Sequence, residues 1–424
     1  MTGAAPLPVD SLPRRAPGQR LGLLRGVRIL DLTTSLAGPY ATMLLGDFGA
    51  EVIKVERPGT GDDSRHWTPP SYAGQGLWYL SVNRNKRSVT LDFSKPEGLA
   101  LLHRLIVRCD VLITNQLPTV LKKLGVDYEA VKAVRPDIVY VSLTGFGLGT
   151  SRQNDPCYDL VAEGYSGVMD LTGELASDPQ KVGTPAADLL GGADAAMGCL
   201  AALMDRARTG QGHFVEVSLI ESMTRFLTPR IVSYLGSGEA PRRSGAKDSV
   251  IAIYQVFATA DEPITLGLPT DAIWRRFCGV LERPDLAADA TLATNAGRIA
   301  RRKEVVETIQ KMLAGKPRAH WLAACREQKV PAGPINRVDQ VVRDEDLLAR
   351  EFFYAMDSGN DGGNDGGNGA EPIPQVGLGI RFDGATAGYE LRPPALGADT
   401  ASVLGELAGL EAHEIDSYRK AGVI

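Results

Sequence analysis

Short apolar segments alternate with amphipathic segments along the first third of the chain. Val27–Leu32 predicts a buried strand, and the apolar periodicity after Pro39 predicts a helix that ends at Gly49. Four further segments predict strands, with helices such as Pro96–Arg108 between several of them: Glu51–Glu56, Val89–Asp92, Val111–Thr114 and Ile138–Leu143. Strands that alternate with helices predict a mostly parallel, doubly wound α/β sheet. Ligands bind such sheets beyond the carboxyl ends of the strands, here in the loops after Leu32, Glu56, Thr114 and Leu143.

A polar segment near residue 230 precedes a second set of elements. Strands around Ile251–Phe257 and Ile264–Leu266, followed by helical patterns from Ile273 to about Ala324, predict a smaller α+β domain. Residues 357–371 are almost entirely glycine, asparagine and aspartate, which predicts a disordered surface loop. The predicted organisation is a disordered leader at 1–24, a large domain at 25–229, a small domain at 230–340, and a return to the large domain at 341–424.

Composition is that of an ordinary globular protein, with 44% apolar and 23% charged residues. A net charge of −5 argues against broad binding to nucleic acid or to an anionic membrane. The five cysteines are scattered without a C-x-x-C pair, so neither a disulfide framework nor a zinc site is predicted. Neither a signal peptide nor a segment that is long and uncharged enough to span a bilayer is predicted, and we expect a cytoplasmic protein.

Several common cofactor and catalytic motifs are missing. The turn after the first strand has one glycine where a dinucleotide fold needs G-x-G-x-x-G, and no phosphate-binding loop is found. The five histidines lack ligand spacing, so we predict no metal site and no bound cofactor.

Thr184–Gly192 introduces a helix of small residues. Asp188 is expected to cap this helix or to lie in its first turn. Capping is the commoner role of such an aspartate. The helix dipole and backbone N–H donors would also keep its carboxylate ionised, which is the state that a carboxylate nucleophile requires.

An ordered series of short motifs resembles family III CoA-transferases, the CaiB/BaiF and formyl-CoA transferase-like superfamily. The resemblance extends from about residue 25 to the end of the chain. Each motif alone is weak, but their order is specific to the superfamily. The motifs are Leu36–Ala41, Gly49–Pro58, Asn85–Ser88, Pro185–Asp188, Arg208–Gly212, Val217–Leu219, Val330–Pro334 and Ala421–Ile424.

The resemblance implies a dimer of two interlinked copies and a catalytic aspartate at the position of Asp188. That carboxylate would attack a donor thioester, form a mixed anhydride and then an aspartyl-CoA thioester, from which the acceptor acid takes CoA. Ser35 and Leu36 are candidates for stabilising the oxyanion. The residues implied in binding coenzyme A and the acyl group are Ser35, Leu36, Arg57, Trp67, Asn115, Gln116, Lys123 and Tyr158.

Coenzyme A would be a substrate and covalent intermediate in this scheme. Succinyl-CoA is the expected donor, and the expected acceptor is a small dicarboxylate such as malate, mesaconate or itaconate. An aromatic or carnitine-like acid is the alternative acceptor.

Two other functions stay open on the sequence. An α-methylacyl-CoA racemase would use Asp188 with a histidine as the opposing acid/base, but Tyr158 stands at that place. A non-catalytic CoA-binding subunit would need a second, paralogous chain, and the complete motif around Asp188 argues against it. A nucleotide-dependent ligase is weaker still, because nothing resembles a phosphate-binding loop.

Overall fold

The computed structural model describes residues 7–18, 21–72, 74–357 and 371–424. Its strands are β1 (Arg14–Arg15), β2 (Arg28–Asp31), β3 (Glu51–Glu56), β4 (Ser71–Tyr72), β5 (Gln75–Gly76), β6 (Lys86–Thr90), β7 (Val111–Thr114), β8 (Val139–Thr144), β9 (His213–Ser218), β10 (Tyr254–Phe257), β11 (Ile264–Gly267), β12 (Ala332–Pro334), β13 (Phe353–Met356), β14 (Ile373–Val376), β15 (Arg381–Phe382) and β16 (Ala385–Thr386).

The helices of the described residues begin with α1 (Ala37–Asp47), α2 (Leu77–Val82), α3 (Pro96–Val107), α4 (Pro118–Leu124), α5 (Tyr128–Val134), α6 (Asp159–Ser166), α7 (Val168–Leu171), α8 (Ala186–Thr209), α9 (Leu219–Phe226) and α10 (Thr228–Ser237). They continue with α11 (Asp271–Val280), α12 (Pro284–Ala288), α13 (Asn295–Ala300), α14 (Arg302–Leu313), α15 (Arg318–Glu327), α16 (Val338–Val341), α17 (Glu345–Ala349), α18 (Thr400–Ala408) and α19 (Ala412–Lys420). Short 3-10 helices lie at Pro8–Ser11, Gly22–Leu24, Asp63–His66 and Ala290–Leu292.

The first unit contains a six-stranded sheet in the order β6-β3-β2-β7-β8-β9, and every neighbouring pair in it is parallel. This confirms the predicted α/β fold. Leu30 on β2 lies beside Ile53 on β3 and Leu112 on β7, and all three are fully buried. They pack with α3, α5, α18 and α19 in one apolar core, which excludes water from that face of the sheet.

The opposite face of the sheet is covered by α1 and α8. Val52 neighbours Ile53 in β3 and therefore points to the other side of the sheet, where its side chain approaches Gly46 of α1. Helix α8 packs against α1, α9 and strands β8 and β9. Helices thus lie on both faces of the sheet, as a doubly wound arrangement requires.

The predicted strands agree well with the observed ones where an apolar run is bounded by turn residues. β3 and β7 have the predicted ends, whereas β6 runs over Lys86–Thr90 instead of Val89–Asp92. Strand β9 was not predicted. It alternates half-buried with exposed positions at the edge of the sheet, so it lacks the continuous apolar run of a central strand.

Helix α8 differs from one sequence expectation. Its 24 residues are long and apolar enough, by length and composition, to cross a membrane, although no such segment was expected. Much of its apolar character comes from small residues, and alanines such as Ala187, Ala195 and Ala196 are buried in the packing of this unit.

The second unit consists of Met169–Lys181 and Val232–Arg343. Its sheet has the antiparallel order β10-β11-β12, and helices α11, α14 and α15 contribute Trp274, Phe277, Ile309 and Trp321 to a separate apolar core. The predicted small domain at 230–340 covers the second of these segments up to residue 340 but does not include residues 341–343 or Met169–Lys181, which is distant in sequence.

Part of the predicted leader forms secondary structure. Arg14 and Arg15 form β1, which pairs with Ala355 and Met356 of β13. The guanidinium of Arg15 also binds Glu351 at 2.8 Å and lies over the ring of Tyr354. This short strand is held by backbone and charge contacts, which a search for apolar runs does not detect. Residues 1–6 and 19–20 of the predicted leader, and 358–370 of the predicted loop, lie outside the described residues.

Candidate active site

A cavity of about 210 Å³ opens at the carboxyl ends of the central strands of the first unit. The loops after β2, β7 and β8 line it, which is the edge where a parallel sheet binds its ligands. The first turn of α8 and the segment before α6 complete its wall. The lining residues are Thr34, Ser35, Leu36, Ala37, Asn115, Leu117, Leu143, Thr144, Gly145, Pro156, Cys157, Tyr158, Asp188 and Leu219.

Asp188 lies in the first turn of α8, three residues after the N-cap position at Pro185. The carboxylate of Asp159, the first residue of α6, accepts hydrogen bonds from the N–H groups of Ala187 (2.8 Å) and Asp188 (3.3 Å). Asp159 therefore takes the capping role, and the Asp188 side chain accepts no hydrogen bond from the described part of the chain. Asp188 is left free to meet a ligand.

Burial, together with the nearby charge of Asp159, raises the pKa of Asp188 to about 7. The dipole of α8 favours the ionised form. However, the backbone donors that would have stabilised it are already bonded to Asp159. Asp188 is consequently only partly ionised near neutral pH, in contrast to the fully ionised carboxylate expected from the sequence.

Two glycines in α8 allow the helix that carries Asp188 to pack closely against its neighbours. A Cβ atom on Gly192 would lie 2.5 Å from the carbonyl oxygen of Ala37, and one on Gly191 would lie 2.6 Å from a methyl group of Leu219. Only glycine lets the backbone of α8 approach α1 and α9 so closely. Because Ala37 and Leu219 both line the cavity, this packing sets its width.

Residues 34–37, in the loop after β2 and the start of α1, line the same cavity as Asp188. Helix α1 has no side chain that caps its N-terminus, and Pro39 at its third position has no N–H. Within the described residues, no acceptor is found for the N–H groups of Leu36, Ala37 and Gly38. Leu36 and Ala37 line the cavity together with Asp188, so two of these unsatisfied donors belong to residues of the cavity wall.

The sequence-predicted site residues divide into two groups. The cavity brings together Asp188, Ser35, Leu36, Asn115 and Tyr158. The other four do not line it: Arg57, Trp67, Gln116 and Lys123.

The four residues outside the cavity have other surroundings in the structure. Arg57 and Lys123 are exposed, on the loop after β3 and in the last turn of α4. The ring of Trp67 packs edge-on against Trp78, with ring centroids 5.9 Å apart. The backbone N–H of Gln116 donates to Thr114, so Gln116 continues the turn after β7.

Sequence reasoning missed Cys157, which lines the cavity, and Asp159, which lies behind its surface. Asp159 and Cys157 flank Tyr158, and a Cβ atom on Gly145 would lie 2.1 Å from that of Cys157. Burial, with the charge of Asp188, raises the pKa of the Cys157 thiol to about 11. The signal for Asp159 was its place at the start of a helix, but its contact with α8 joins residues 28 and 29 positions apart.

A second missed group is a set of buried charges beneath the loop. Asp31 accepts hydrogen bonds from Thr33 and Thr42 and pairs with Lys86 at 3.2 Å, and Lys54 pairs with Asp62 at 2.8 Å. Burial opposes ionisation of Asp31, but the ammonium groups of Lys86 and Lys54 hold its pKa down at about 2. Charged residues inside otherwise apolar strands were the available signal. No group of three or more potential metal ligands is found in the described ranges.

Comparisons with known proteins identify relatives over nearly the whole chain. The sequence profile of CoA-transferase family III matches residues 24–400. A Mus musculus protein named succinyl-CoA:glutarate CoA-transferase is 35% identical over 401 residues, which cover 95% of this chain and 90% of that protein. A succinate–glutarate CoA-transferase of Agrobacterium fabrum is 36% identical over 409 residues, covering 95% and 99%. The crystal structure of a CAIB/BAIF family protein from Brucella suis is 34% identical, with a TM-score of 0.78 over 92% of this chain and 100% of that one.

Proposed function

The chain belongs to CoA-transferase family III and is therefore a CoA-transferase, and we propose that it moves CoA from succinyl-CoA to a small dicarboxylate through Asp188. Glutarate is the first acceptor to test, because the mouse and Agrobacterium relatives are named for it. The observation that carries the proposal is that one cavity is lined both by Asp188, whose carboxylate is unbonded within the described residues, and by Leu36 and Ala37, whose N–H groups are unsatisfied there.

The proposed reaction begins with attack of the Asp188 carboxylate on the thioester carbonyl. The C–S bond breaks, CoA leaves as a thiolate, and Asp188 holds the succinyl group as a mixed anhydride. The thiolate then attacks the aspartyl carbonyl, which releases succinate and leaves an aspartyl-CoA thioester. The acceptor carboxylate then attacks the carbonyl of this thioester, the C–S bond breaks, and CoA thiolate leaves behind a mixed anhydride of Asp188 and the acceptor. The thiolate finally attacks the acceptor's acyl carbon in this anhydride and displaces the Asp188 carboxylate. The product acyl-CoA leaves and the Asp188 carboxylate is regenerated.

Each of these attacks places negative charge on a carbonyl oxygen. The N–H groups of Leu36 and Ala37 have no acceptor among the described residues, and both residues line the same cavity as Asp188. Preorganised donors of this kind stabilise a developing oxyanion without reorganising during the reaction. In this proposal Ser35 contributes to oxyanion stabilisation through its backbone. Asn115 holds the neighbouring residue Thr34: its Oδ1 accepts from the N–H of Thr34 at 3.1 Å, and its Nδ2 donates to the carbonyl oxygen of Thr34 at 2.8 Å.

Other parts of the proposal rest on the family resemblance and on charge. Arg57 and Lys123 are exposed cations suited to the phosphates of coenzyme A, and Trp67, Gln116 and Tyr158 would contact other parts of the acyl-CoA. Coenzyme A acts as substrate, with no further cofactor. We also propose a cytoplasmic homodimer; sedimentation at twice the mass of one chain would support the dimer, and sedimentation as a monomer would contradict it.

No observation favours the racemase alternative. Tyr158 replaces the expected histidine, and its side chain is 61% exposed. A deprotonated base is needed to take an α-proton, and the Cys157 thiol, with its pKa raised to about 11, is not one near neutral pH.

The test of the proposed function is CoA transfer by the purified chain alone. Succinyl-CoA is supplied with glutarate, mesaconate, malate, itaconate, an aromatic acid or carnitine, and each acyl-CoA product is followed by chromatography. We expect transfer to at least one dicarboxylate, and loss of at least about 10³-fold in kcat in Asp188→Asn, since the nucleophile is gone. Asp205→Asn removes a partly exposed carboxylate, paired with Arg208 and His213 near the other end of the same helix, and serves as the control. Equal rates for Asp188→Asn and the control would refute the proposal.

A further inference from the structure

Ser35 has an unusual backbone conformation for a residue other than glycine. Its φ angle is +70°, in the left-handed region, and it joins β2 to α1 at the edge of the cavity. A side chain at Cβ disfavours this region, so the conformation persists only where neighbouring groups hold it. The residue that follows, Leu36, is the first whose N–H is unsatisfied.

One buried ion pair holds Ser35 in this conformation. Oδ1 of Asp62 accepts a hydrogen bond from the N–H of Ser35 at 3.0 Å. Oδ2 of the same carboxylate accepts from Nζ of Lys54 at 2.8 Å, and Nζ also donates to the carbonyl oxygen of Thr33 at 2.9 Å. Both charged side chains are fully buried, so their attraction is weakly screened. The ion pair therefore forms hydrogen bonds with the loop on both sides of Thr34, to Thr33 and to Ser35.

Two further groups hold the residues before Ser35. Asp31 accepts from the N–H of Thr33 at 2.9 Å, and the side-chain amide of Asn115 bonds both the N–H and the carbonyl of Thr34. Side chains thus bind the N–H groups of three consecutive residues, Thr33 to Ser35. The donors that follow, on Leu36 and Ala37, have no partner in the described ranges.

We infer that Asp62, held in place by Lys54, is a positioning residue that fixes Ser35 so that the N–H groups of Leu36 and Ala37 face the reacting carbonyl. This inference rests on the proposed function, because it assigns those donors to the oxyanion of that reaction. Asp62 is fully buried and does not line the cavity, so it acts through the loop and does not touch the substrate.

The first experiment compares Asp62→Asn with Asp63→Asn. The asparagine at 62 keeps an oxygen that can accept from Ser35, but it loses the charge that binds Lys54. Asp63 is adjacent and exposed, so its substitution removes the same charge without reaching the loop. For Asp62→Asn we expect kcat to fall about 10- to 100-fold, with KM for succinyl-CoA within about threefold. This is less than the roughly 10²- to 10³-fold cost of removing an oxyanion donor, because the donors are displaced and not removed. A purely structural role would lower the amount of folded enzyme and leave the kcat per folded active site unchanged.

A second pair of variants keeps the buried charges intact, in case Asp62→Asn does not fold. Ser35→Gly accepts a positive φ without strain, whereas the β-branched side chain in Ser35→Val disfavours it strongly. We expect the valine variant to have a kcat at least about tenfold below that of the glycine variant, with similar KM, because misplaced donors lose oxyanion stabilisation.

The outcomes separate the two proposals. A folded Asp62→Asn with the kcat of Asp63→Asn, or a Ser35→Val as active as Ser35→Gly, would overturn the positioning role while the proposed function stands. A wild-type chain that transfers no CoA to any acceptor in the panel would overturn the proposed function and this inference together.

Discussion

The carboxyl group of Asp188 has a second carboxylate, that of Asp159, as its neighbour. Oδ1 of Asp159 caps α8, and its charge adds to burial in raising the pKa of Asp188 to about 7. A nucleophilic carboxylate with a raised pKa is a stronger nucleophile once it is ionised, but a smaller fraction of it is ionised at neutral pH. In the proposed mechanism, Asp159 thus contributes both to the fold and to the chemistry.

The pH dependence of activity tests this pairing. Since attack requires the ionised form, we expect kcat/KM of the wild type to rise with pH through about 7. Asp159→Asn keeps an oxygen that can cap α8 but removes the charge, so its midpoint is expected to move to lower pH. Two other titratable residues, Cys157 and Tyr158, also line the cavity. An unshifted midpoint, equal to that of the Asp205→Asn control, would show that Asp159 does not set the titration.

The same shift predicts that Asp188 lowers stability. Its pKa is higher in the folded chain, about 7, than the ordinary value of 3.8, so the folded state holds the proton more tightly. The bound proton stabilises the folded state relative to the unfolded state. This stabilisation is fully present below about pH 4 and is lost as the pH rises through about 7. After allowance for partial exposure, we expect Asp188→Asn to increase the free energy of unfolding at pH 8 by about 1–2 kcal/mol.

Urea unfolding at pH 8 and at pH 4 measures this effect. The increase in the free energy of unfolding caused by Asp188→Asn should be largest at pH 8. It should largely vanish at pH 4, where the wild-type carboxyl is protonated in the folded chain. A destabilised variant at pH 8 would mean that the ionised carboxylate is well solvated in the folded chain.

At the residue scale the sequence was informative about Asp188 and less so about its surroundings. The motif and the helix start placed Asp188 in the first turn of α8, where it lies. Its capping partner, Asp159, and the buried ions below the loop could not be inferred, because contacts such as Asp62 with Ser35 depend on how separate elements pack.

At the scale of elements, the contact between α8 and α1 determines the geometry of the cavity. Gly192 lies one turn after Asp188, and a Cβ atom added to it would lie 2.5 Å from the carbonyl oxygen of Ala37, one of the residues with an unsatisfied N–H group. The small residues of α8 were visible in the sequence. The sequence did not show which of these residues faces α1, because Gly191 and Gly192 are both glycines and each faces a different neighbour.

Gly192→Ala tests this contact. The added Cβ would overlap the backbone of Ala37, which cannot move as a flexible side chain does, so α8 and α1 must separate. We expect a loss of about 1–3 kcal/mol in stability, as for other overpacked sites, and a lower kcat in the protein that remains folded. Gly279→Ala in α11, where nothing lies within 4 Å of the added atom, should retain activity. Wild-type kcat in Gly192→Ala would contradict the role given to the contact.

At the scale of the whole molecule, the parallel sheet could be predicted because four of its six strands (β2, β3, β7 and β8) are largely apolar runs between turns, and the predicted strand Val89–Asp92 overlaps the end of β6. The edge strand β9 and the short strand β1 could not be predicted. Positions in β9 alternate between half-buried and exposed, β1 consists of two arginines, and neither pattern is a specific signal for a strand. The grouping of Met169–Lys181 with Val232–Arg343 was also not predicted, because it depends on contacts between segments that are distant in sequence.

The most direct measurement of the proposed function is mass spectrometry of the intact chain after mixing with succinyl-CoA in the absence of an acceptor. We expect a covalent CoA adduct on Asp188 that glutarate or another accepted acid discharges, and that hydroxylamine converts to a hydroxamate at the same residue. The adduct should be absent from Asp188→Asn and present in Asp205→Asn. Acceptor-dependent turnover without any adduct on Asp188, or an adduct that persists in Asp188→Asn, would contradict the assignment of Asp188 as the nucleophile.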